Sequence, residues 1–263
     1  MSNQPTFVAI GDVHGHKSKL EAAMASEAYQ NASTRLLVGD LVNGTDADNY
    51  GCLKLAIESD AVCIQGNHDI AFATLLQLLA EYGQAGQKLT YDEYVKSFGI
   101  TKRQLQAFMD FYTELNQNLT AAELADFGRS YGQWYRKCPH FVRIGHTYIA
   151  HGGWHHMMLN AEQKIHAKPL SPYAVTSSLD EDAAHKVVYG NGLTYKNRPP
   201  KAHFLPPKNR LLIVGHHHDR ADHAHYIADN VLCIDSGCGK KAENDLTMVV
   251  FNQHGEVLET LTF

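Results

Sequence analysis

The stretch TFVAIGDVHG, residues 6–15, joins a short apolar run to a polar cluster set between glycines. An apolar run that passes directly into Gly11, Asp12 and His14 is typical of a buried strand ending at a functional loop. Two similar junctions follow along the chain: RLLV at 35–38 leads into Gly39-Asp40, and AVCI at 61–64 leads, after one Gln, into Gly66-Asn67-His68-Asp69. Helix-like stretches separate these runs, so the pattern predicts right-handed βαβ units with parallel strands.

Two later apolar runs also end in polar clusters: TYIA at 147–150 precedes His151-Gly152-Gly153, and LLIV at 211–214 precedes Gly215-His216-His217-His218-Asp219. Ligands of open α/β sheets bind outside the carboxyl ends of the strands, so we expect all five clusters to converge in space. Asp, Asn and His side chains suit Mn, Fe, Zn or Ni. Two such ions about 3.5–4 Å apart need one bridging carboxylate and two ligand sets, which the five clusters supply.

Composition excludes several classes of protein. The chain has 263 residues, is 44% hydrophobic and carries a formal charge of −5, which leaves no electrostatic footprint for nucleic acid or an anionic membrane. No apolar run approaches the roughly 18 residues of a membrane span. The N-terminus resembles no signal peptide, and the five cysteines are scattered, so we expect a cytoplasmic protein. We expect one domain over residues 1–263, and the sequence leaves its oligomeric state open.

The rest of the chain is read by pattern. Residues 70–135 are helical by periodicity and contain three capping-box sequences, which start at Thr90, Thr101 and Thr120. The pattern predicts a helix over 16–28 and a long excursion with loops over 152–209. Apolar runs after residue 210 predict further strands that end in an antiparallel hairpin around Asn252–Gly255. We expect His217, between two candidate ligands, to be a solvated loop histidine that points away from them.

The five motifs, in this order, resemble the calcineurin-like metallophosphoesterase family over residues 7–238. The segments around Cys138-Pro139 and Ile234-Asp-Ser-Gly-Cys-Gly239 are most similar to bacterial serine/threonine protein phosphatases and symmetrical dinucleoside tetraphosphate hydrolases. The resemblance implies a four-layer α-β-β-α sandwich, with two mixed sheets flanked by helices and a helical insertion around 70–135.

The resemblance also implies roles for individual residues. Asp12, His14 and His218 would bind a first metal ion, and Asp40 would bridge it to a second. Asn67, His151 and His216 would bind that second ion, with Mn favoured among Mn, Fe, Zn and Ni. A metal-bridging hydroxide would attack phosphorus in line, and His68 would act as the general acid that protonates the leaving group. Asp40 and His68 are therefore the predicted catalytic residues.

The chain departs from the family pattern around the substrate phosphate. Asn43 replaces the Asp that usually orients the general-acid His, and Gly44 or Thr45 stands in place of a phosphate-binding Arg. A second family Arg is replaced in the stretch Tyr189-Gly190-Asn191. We therefore predict that neutral donors bind the substrate phosphate: Asn43, Thr45 and Asn191.

The activity predicted first is that of a serine/threonine-type protein phosphatase. The alternatives are a symmetrical dinucleoside tetraphosphate hydrolase or another phosphodiesterase and, in a different class, a non-catalytic metal-binding interaction module, which the missing arginines favour. The expected partner is a phosphorylated substrate, either a phosphoprotein or a nucleotide, with no nucleic acid or membrane partner.

Overall fold

The computed structural model describes residues 5–43, 47–70, 72–73, 76, 102–159, 174–177, 179–190, 193, 200–218, 223–238 and 243–263. Thr90 and Thr101, the first residues of two predicted capping boxes, lie outside these residues, as does the rest of 77–101 in the predicted insertion. No helix in the described ranges is long and apolar enough to cross a membrane.

The first half of the described chain alternates strands and helices before a pair of long helices. Its elements are β1 (Thr6–Ile10), α1 (Lys17–Ala25), α2 (Glu27–Asn31), β2 (Thr34–Leu37), α3 (Asn49–Glu58), β3 (Val62–Cys63), α4 (Lys102–Asn118) and α5 (Ala121–Tyr135). The second half is mostly strand: β4 (Phe141–Ile144), β5 (Thr147–Ala150), β6 (Ala174–Ser177), α6 (Glu181–Tyr189), a 3-10 turn (Ala202–Phe204), β7 (Leu211–Val214), β8 (His225–Ala228), β9 (Val231–Cys233), β10 (Thr247–Asn252) and β11 (Val257–Thr262).

The strands form two mixed sheets, as the fold prediction required. The first sheet has the order β11-β10-β1-β2-β3, in which β1, β2 and β3 run parallel and the last hairpin is antiparallel. The second has the order β6-β4-β5-β7-β9-β8, in which β5, β7 and β9 run parallel. Parallel strands of one sheet end at the same edge, so the polar clusters that follow them are brought together.

Three apolar cores give the fold its four layers. Phe7 and Ala9 of β1 pack into a core shared by the two sheets, while Val8 and Ile10 face the outer core that contains buried residues of α1, α3, α4 and α5. A third core packs α6 against the outer face of the second sheet. Because β1 is buried on both faces, its sequence is a continuous apolar run rather than an alternating one.

Two predictions of local structure are corrected. The helix predicted over 16–28 is two helices, because Ser26 ends α1 and its hydroxyl then accepts the backbone N–H of Tyr29 to begin α2. The excursion predicted over 152–209 also contains a strand, β6, and a helix, α6. Asp180 caps α6 through the backbone N–H of Ala183, a signal present in the sequence that the prediction did not use.

The helix α5, in the described part of the 70–135 insertion, contacts the backbone of the segment that follows β3. Thr120 and Glu123 form the predicted capping box at the start of α5. At the other end of the same helix, the hydroxyls of Tyr131 and Tyr135 donate to the backbone carbonyls of Asp69 and Gly66, at 3.1 and 3.2 Å. Residues 66–69, where a helical segment begins after β3, are therefore held by α5.

The core between the sheets should dominate stability. Leu36 is 0% exposed in that core, so we expect Leu36→Ala to lower the free energy of unfolding by about 2–5 kcal/mol. The matched control is Leu258→Ala on β11, where the leucine is 53% exposed, with an expected change within about 0.5 kcal/mol. Urea unfolding measures both, and equal losses would contradict the assignment of this core.

Candidate active site

The polar clusters that follow β1, β2, β5 and β7 converge into two groups of potential metal ligands. Asp12, His14 and Asp40 form the first group, and Asp40, His151 and His216 form the second. Within each group the ligand atoms lie within 4.8 Å of one another. Asp40 belongs to both groups, which is the arrangement expected of a bridging carboxylate.

Asn67 joins the second group. Its Oδ1 lies 3.0 Å from His151 Nε2 and 2.8 Å from His216 Nδ1. An amide oxygen and two imidazole nitrogens therefore point at one place, beside the Asp40 carboxylate, whose Oδ2 lies 3.3 Å from His151 Nε2.

The backbone is unusual at these residues. Four non-glycine residues in the described chain have positive φ, and all four are at the site: His14 at 48°, Asp40 at 51°, Asn43 at 75° and His216 at 64°. Asp, Asn and His tolerate this left-handed region better than most residues, but each still costs about 1–3 kcal/mol. Such a concentration of strain is typical of functional loops.

Backbone carbonyls set the orientation of two histidines. His14 Nδ1 lies 3.0 Å from the Val42 carbonyl, and His151 Nδ1 lies 2.9 Å from the Val38 carbonyl. Carbonyl oxygens only accept, so Nδ1–H donates in both rings, and in the neutral ring Nε2 then carries the lone pair. Nε2 of each ring faces Asp40, as a metal ligand would.

His217 does not behave as predicted for a solvated residue. It is 6% exposed, and its Nε2 donates to the Gly152 carbonyl at 2.6 Å. It is in neither group of potential ligands found among the described residues, and it is a buried part of the framework that ties the loop after β7 to the loop after β5.

Buried carboxylates concentrate negative charge at the site. Asp12, Asp40, Asp69 and Asp235 are all almost fully buried. Burial raises the pKa of Asp12, and the neighbouring Asp235 carboxylate raises it further. Burial followed by the Asp40 carboxylate raises the pKa of Asp69 to about 7. Burial would also raise the pKa of Asp40, but the surrounding imidazoles, chiefly His151, hold it well below its usual range.

The two histidines of the second group differ in their ionisation. Burial disfavours charge on His151, but Asp40 and Asp12 outweigh it and raise its pKa to about 10. For His216, burial and the nearby His151 lower the pKa to about 3. Without metal ions, His151 is therefore an imidazolium that partly balances the carboxylates, whereas His216 is neutral.

The residues present fit a pair of divalent cations. Asp12 Oδ1, Asp69 Oδ2 and Asp235 Oδ2 are buried and have no hydrogen-bond donor among the described residues. A buried carboxylate oxygen without a donor is costly, so positive charge is needed here. Carboxylate, amide and imidazole groups together match the donors that Mn, Fe, Zn and Ni accept.

His68 lies beside this cluster at the surface. Its side chain is 26% exposed, and its Nε2 is 3.7 Å from Asp40 Oδ2. Its backbone N–H donates to Asp40 Oδ1 at 2.9 Å, and its Nδ1 contacts the Asn43 amide nitrogen. Asn43, predicted to bind substrate, is therefore placed against the candidate general acid, where the Asp it replaces would stand.

Three further residues that the sequence predicted for the site lie outside the described residues or outside the two groups of potential ligands. Thr45 and Asn191 lie outside the described residues. His218 is in neither group of potential ligands found among the described residues, and its Nδ1 lies 3.8 Å from Asp235 Oδ2. Asp69 and Asp235 have no role among the sequence predictions, although each comes shortly after a strand, in the segments Gly66–Asp69 and Ile234–Gly239.

A metal-binding cluster at the carboxyl ends of strands in a four-layer α-β-β-α sandwich defines a metal-dependent phosphoesterase. The profile of the calcineurin-like phosphoesterases matches residues 5–220, and the chain belongs to that family. It is therefore a hydrolase that acts on phosphoesters, and the resemblance drawn from the motifs is confirmed.

Solved structures agree on the fold. One is a candidate diadenosine tetraphosphatase, 18% identical, with a TM-score of 0.55 over 99% of this chain and 95% of that one. Another is a protein serine/threonine phosphatase from Saccharomyces cerevisiae with similarity to human PP5; it is 12% identical, with a TM-score of 0.50 over 100% of this chain and 80% of that one. No curated protein matches the chain.

Gly215 tests how tightly the site is packed. A Cβ at this position would overlap Asp12 Oδ1, so we expect Gly215→Ala to displace the Asp12 carboxylate and to lower the amount of metal bound per chain. The control is Gly132→Ala in α5, where a Cβ meets nothing within 4 Å. Elemental analysis of metal-loaded protein measures the effect, and a normal metal content in Gly215→Ala would contradict it.

Proposed function

We propose that the chain hydrolyses phosphoesters with two divalent ions, most simply Mn, held between the loops that follow β1, β2, β3, β5 and β7. The observation that carries this proposal is the position of Asp40, which is shared by both groups of potential ligands. Asp12 and His14, with His218, would hold one ion. Asn67, His151 and His216 would hold the other.

When bound, the two ions would supply positive charge to the phosphate oxygens and lower the pKa of a water molecule. The chain's own residues prepare the site for this. Asp40 is held in its ionised form by His151, and the Val38 and Val42 carbonyls fix which nitrogen of His151 and His14 faces the site.

His68 would hold a proton at Nε2 and transfer it to the leaving oxygen. Its partial exposure leaves room for substrate, and its neighbours Asn43 and Asp40 fix the ring. Asn43 is neutral, so it orients the ring without stabilising an imidazolium as a carboxylate would. We therefore assign Asn43 to orienting the proposed general acid, His68, rather than to binding the substrate phosphate.

For the substrate, we propose a seryl or threonyl phosphoester in a protein, which the order of the five motifs supports. A symmetrical dinucleoside tetraphosphate is the second candidate, because a cavity of about 450 Å³ lies between Ile70, in the segment after β3, and residues of α6. Ile70, two residues beyond His68, lines it, as do His140, His185 and Tyr189, and no Lys or Arg is among its described lining residues. Such a cavity is large enough for a nucleoside.

A substrate panel separates these possibilities. Metal-reconstituted protein is assayed with para-nitrophenyl phosphate, a phosphoserine peptide and diadenosine tetraphosphate. Preference for the peptide supports the protein phosphatase, and release of ADP alone from the dinucleotide supports the symmetrical hydrolase. No turnover of any of them with two ions bound would favour the interaction module instead.

Removing the proposed general acid should slow the chemistry without removing metal. We expect His68→Asn to lower kcat for para-nitrophenyl phosphate by about 10²–10⁴-fold, the usual contribution of a positioned acid, with metal content unchanged. His203→Asn, an exposed residue of the 3-10 turn, is the matched control and should keep wild-type kcat. Loss of metal from His68→Asn would show that the residue is a ligand.

Metal binding should displace a proton from His151. The pKa of this residue is raised to about 10 without metal, so at pH 7 the ring is charged and must deprotonate to become a ligand. Because burial and Asp235 also raise the pKa of Asp12, another proposed ligand, we expect release of at least one proton on metal binding at pH 7, and affinity that weakens by about tenfold or more for each unit of falling pH. Calorimetry in two buffers of different ionisation enthalpy measures this, and identical heats would contradict it.

A further inference from the structure

Asp235 is a buried carboxylate that the mechanism so far does not use. It follows β9, is 1% exposed, and its Oδ1 accepts the backbone N–H of Gly237 at 2.9 Å. Its Oδ2 is buried and has no hydrogen-bond donor among the described residues. This oxygen lies 3.8 Å from His218 Nδ1, within ion-pair distance.

The position of Asp235 is costly unless it has a partner. The carboxylate lies close enough to Asp12 to raise the pKa of that residue, so it adds negative charge where several carboxylates are already buried. Replacing it with a neutral group would relieve that repulsion. A role in orienting the His218 ring would account for a carboxylate that is buried at this position despite that repulsion.

The other histidines of the site show what such a partner does. His14 and His151 each donate Nδ1–H to a backbone carbonyl, which leaves Nε2 to face the ligand cluster. Metal-bound histidines generally donate their second N–H to a carbonyl or a carboxylate in this way. For His218, the acceptor placed at Nδ1 is the Asp235 carboxylate.

We propose that Asp235 is a positioning residue that accepts the Nδ1–H of His218, so that Nε2 carries the lone pair and turns toward Asp12 and His14. The inference rests on the proposed function in one respect, because it takes His218 as a ligand of the first ion. In this structure His218 lies outside both groups of potential ligands found among the described residues, with its Nδ1 3.8 Å from Asp235 Oδ2.

The test is a double-mutant cycle on metal affinity. Asp235→Asn keeps the size of the side chain, and we expect it to weaken Mn²⁺ binding at one of the two sites by about 10–100-fold, while excess metal still restores two ions per chain. In a His218→Ala background, Asp235→Asn should have no further effect, because it acts through that ring. Asp229→Asn, the same chemical change at an exposed position between β8 and β9, is the control and should match wild type.

A second readout does not depend on metal or turnover. The ¹⁵N chemical shifts of the imidazoles in metal-free protein report which nitrogen carries the proton, and His218→Ala identifies the signals of His218. We expect the Nδ1–H form in wild type and a mixture of the two forms in Asp235→Asn, with thermal unfolding confirming that the variant is folded.

The outcomes are distinct. An equal loss of affinity with and without His218, or a stoichiometry of one ion at saturating metal, would mean that Asp235 acts independently or is itself a ligand, and would overturn the proposal. Unchanged affinity and an unchanged tautomer would also overturn it. If wild type binds fewer than two ions, the dinuclear proposal fails, and the tautomer measurement still decides the role of Asp235.

Discussion

The site depends on keeping the negative charge of Asp40 buried. Its carboxylate lies 3.3 Å from His151 Nε2, 3.7 Å from His68 Nε2 and 4.0 Å from His14 Nε2, and it also accepts the backbone N–H of His68. These groups come from three different segments of the chain, those that contain His14, His68 and His151, so the two sheets must be correctly packed before the charge is balanced. The positive φ angles around it are the conformational cost of bringing short side chains from several strand ends to one carboxylate.

Much of this arrangement could be predicted from sequence because its causes are local. A strand buried on both faces must be apolar, and a polar cluster directly after it must lie at the sheet edge, so the positions of Asp12, Asp40, Asn67, His151 and His216 followed from the chain itself. The same reasoning gave most strands to within a residue or two. The family profile and the two mixed sheets confirm the class of protein and the fold.

What the sequence could not supply depends on contacts between distant segments. The burial of His217 arises because its Nε2 meets the Gly152 carbonyl, 65 residues away. The sequence around Asp235 does not indicate a role for this residue, because that role depends on side chains from other segments that surround it in the fold. Asp180, by contrast, was a local capping signal that could have been used.

The order of strands in the first sheet has a consequence for how the molecule is assembled. β10, near the end of the described chain, pairs with β1 near its beginning and separates it from the final hairpin strand. During synthesis on the ribosome, β1 therefore lacks one of its two neighbours until residues 247–252 have emerged. Pairings of such long sequence separation form late. By the time β10 can pair with β1, the histidines that balance the charge of Asp40, which are His14, His68 and His151, have already been made.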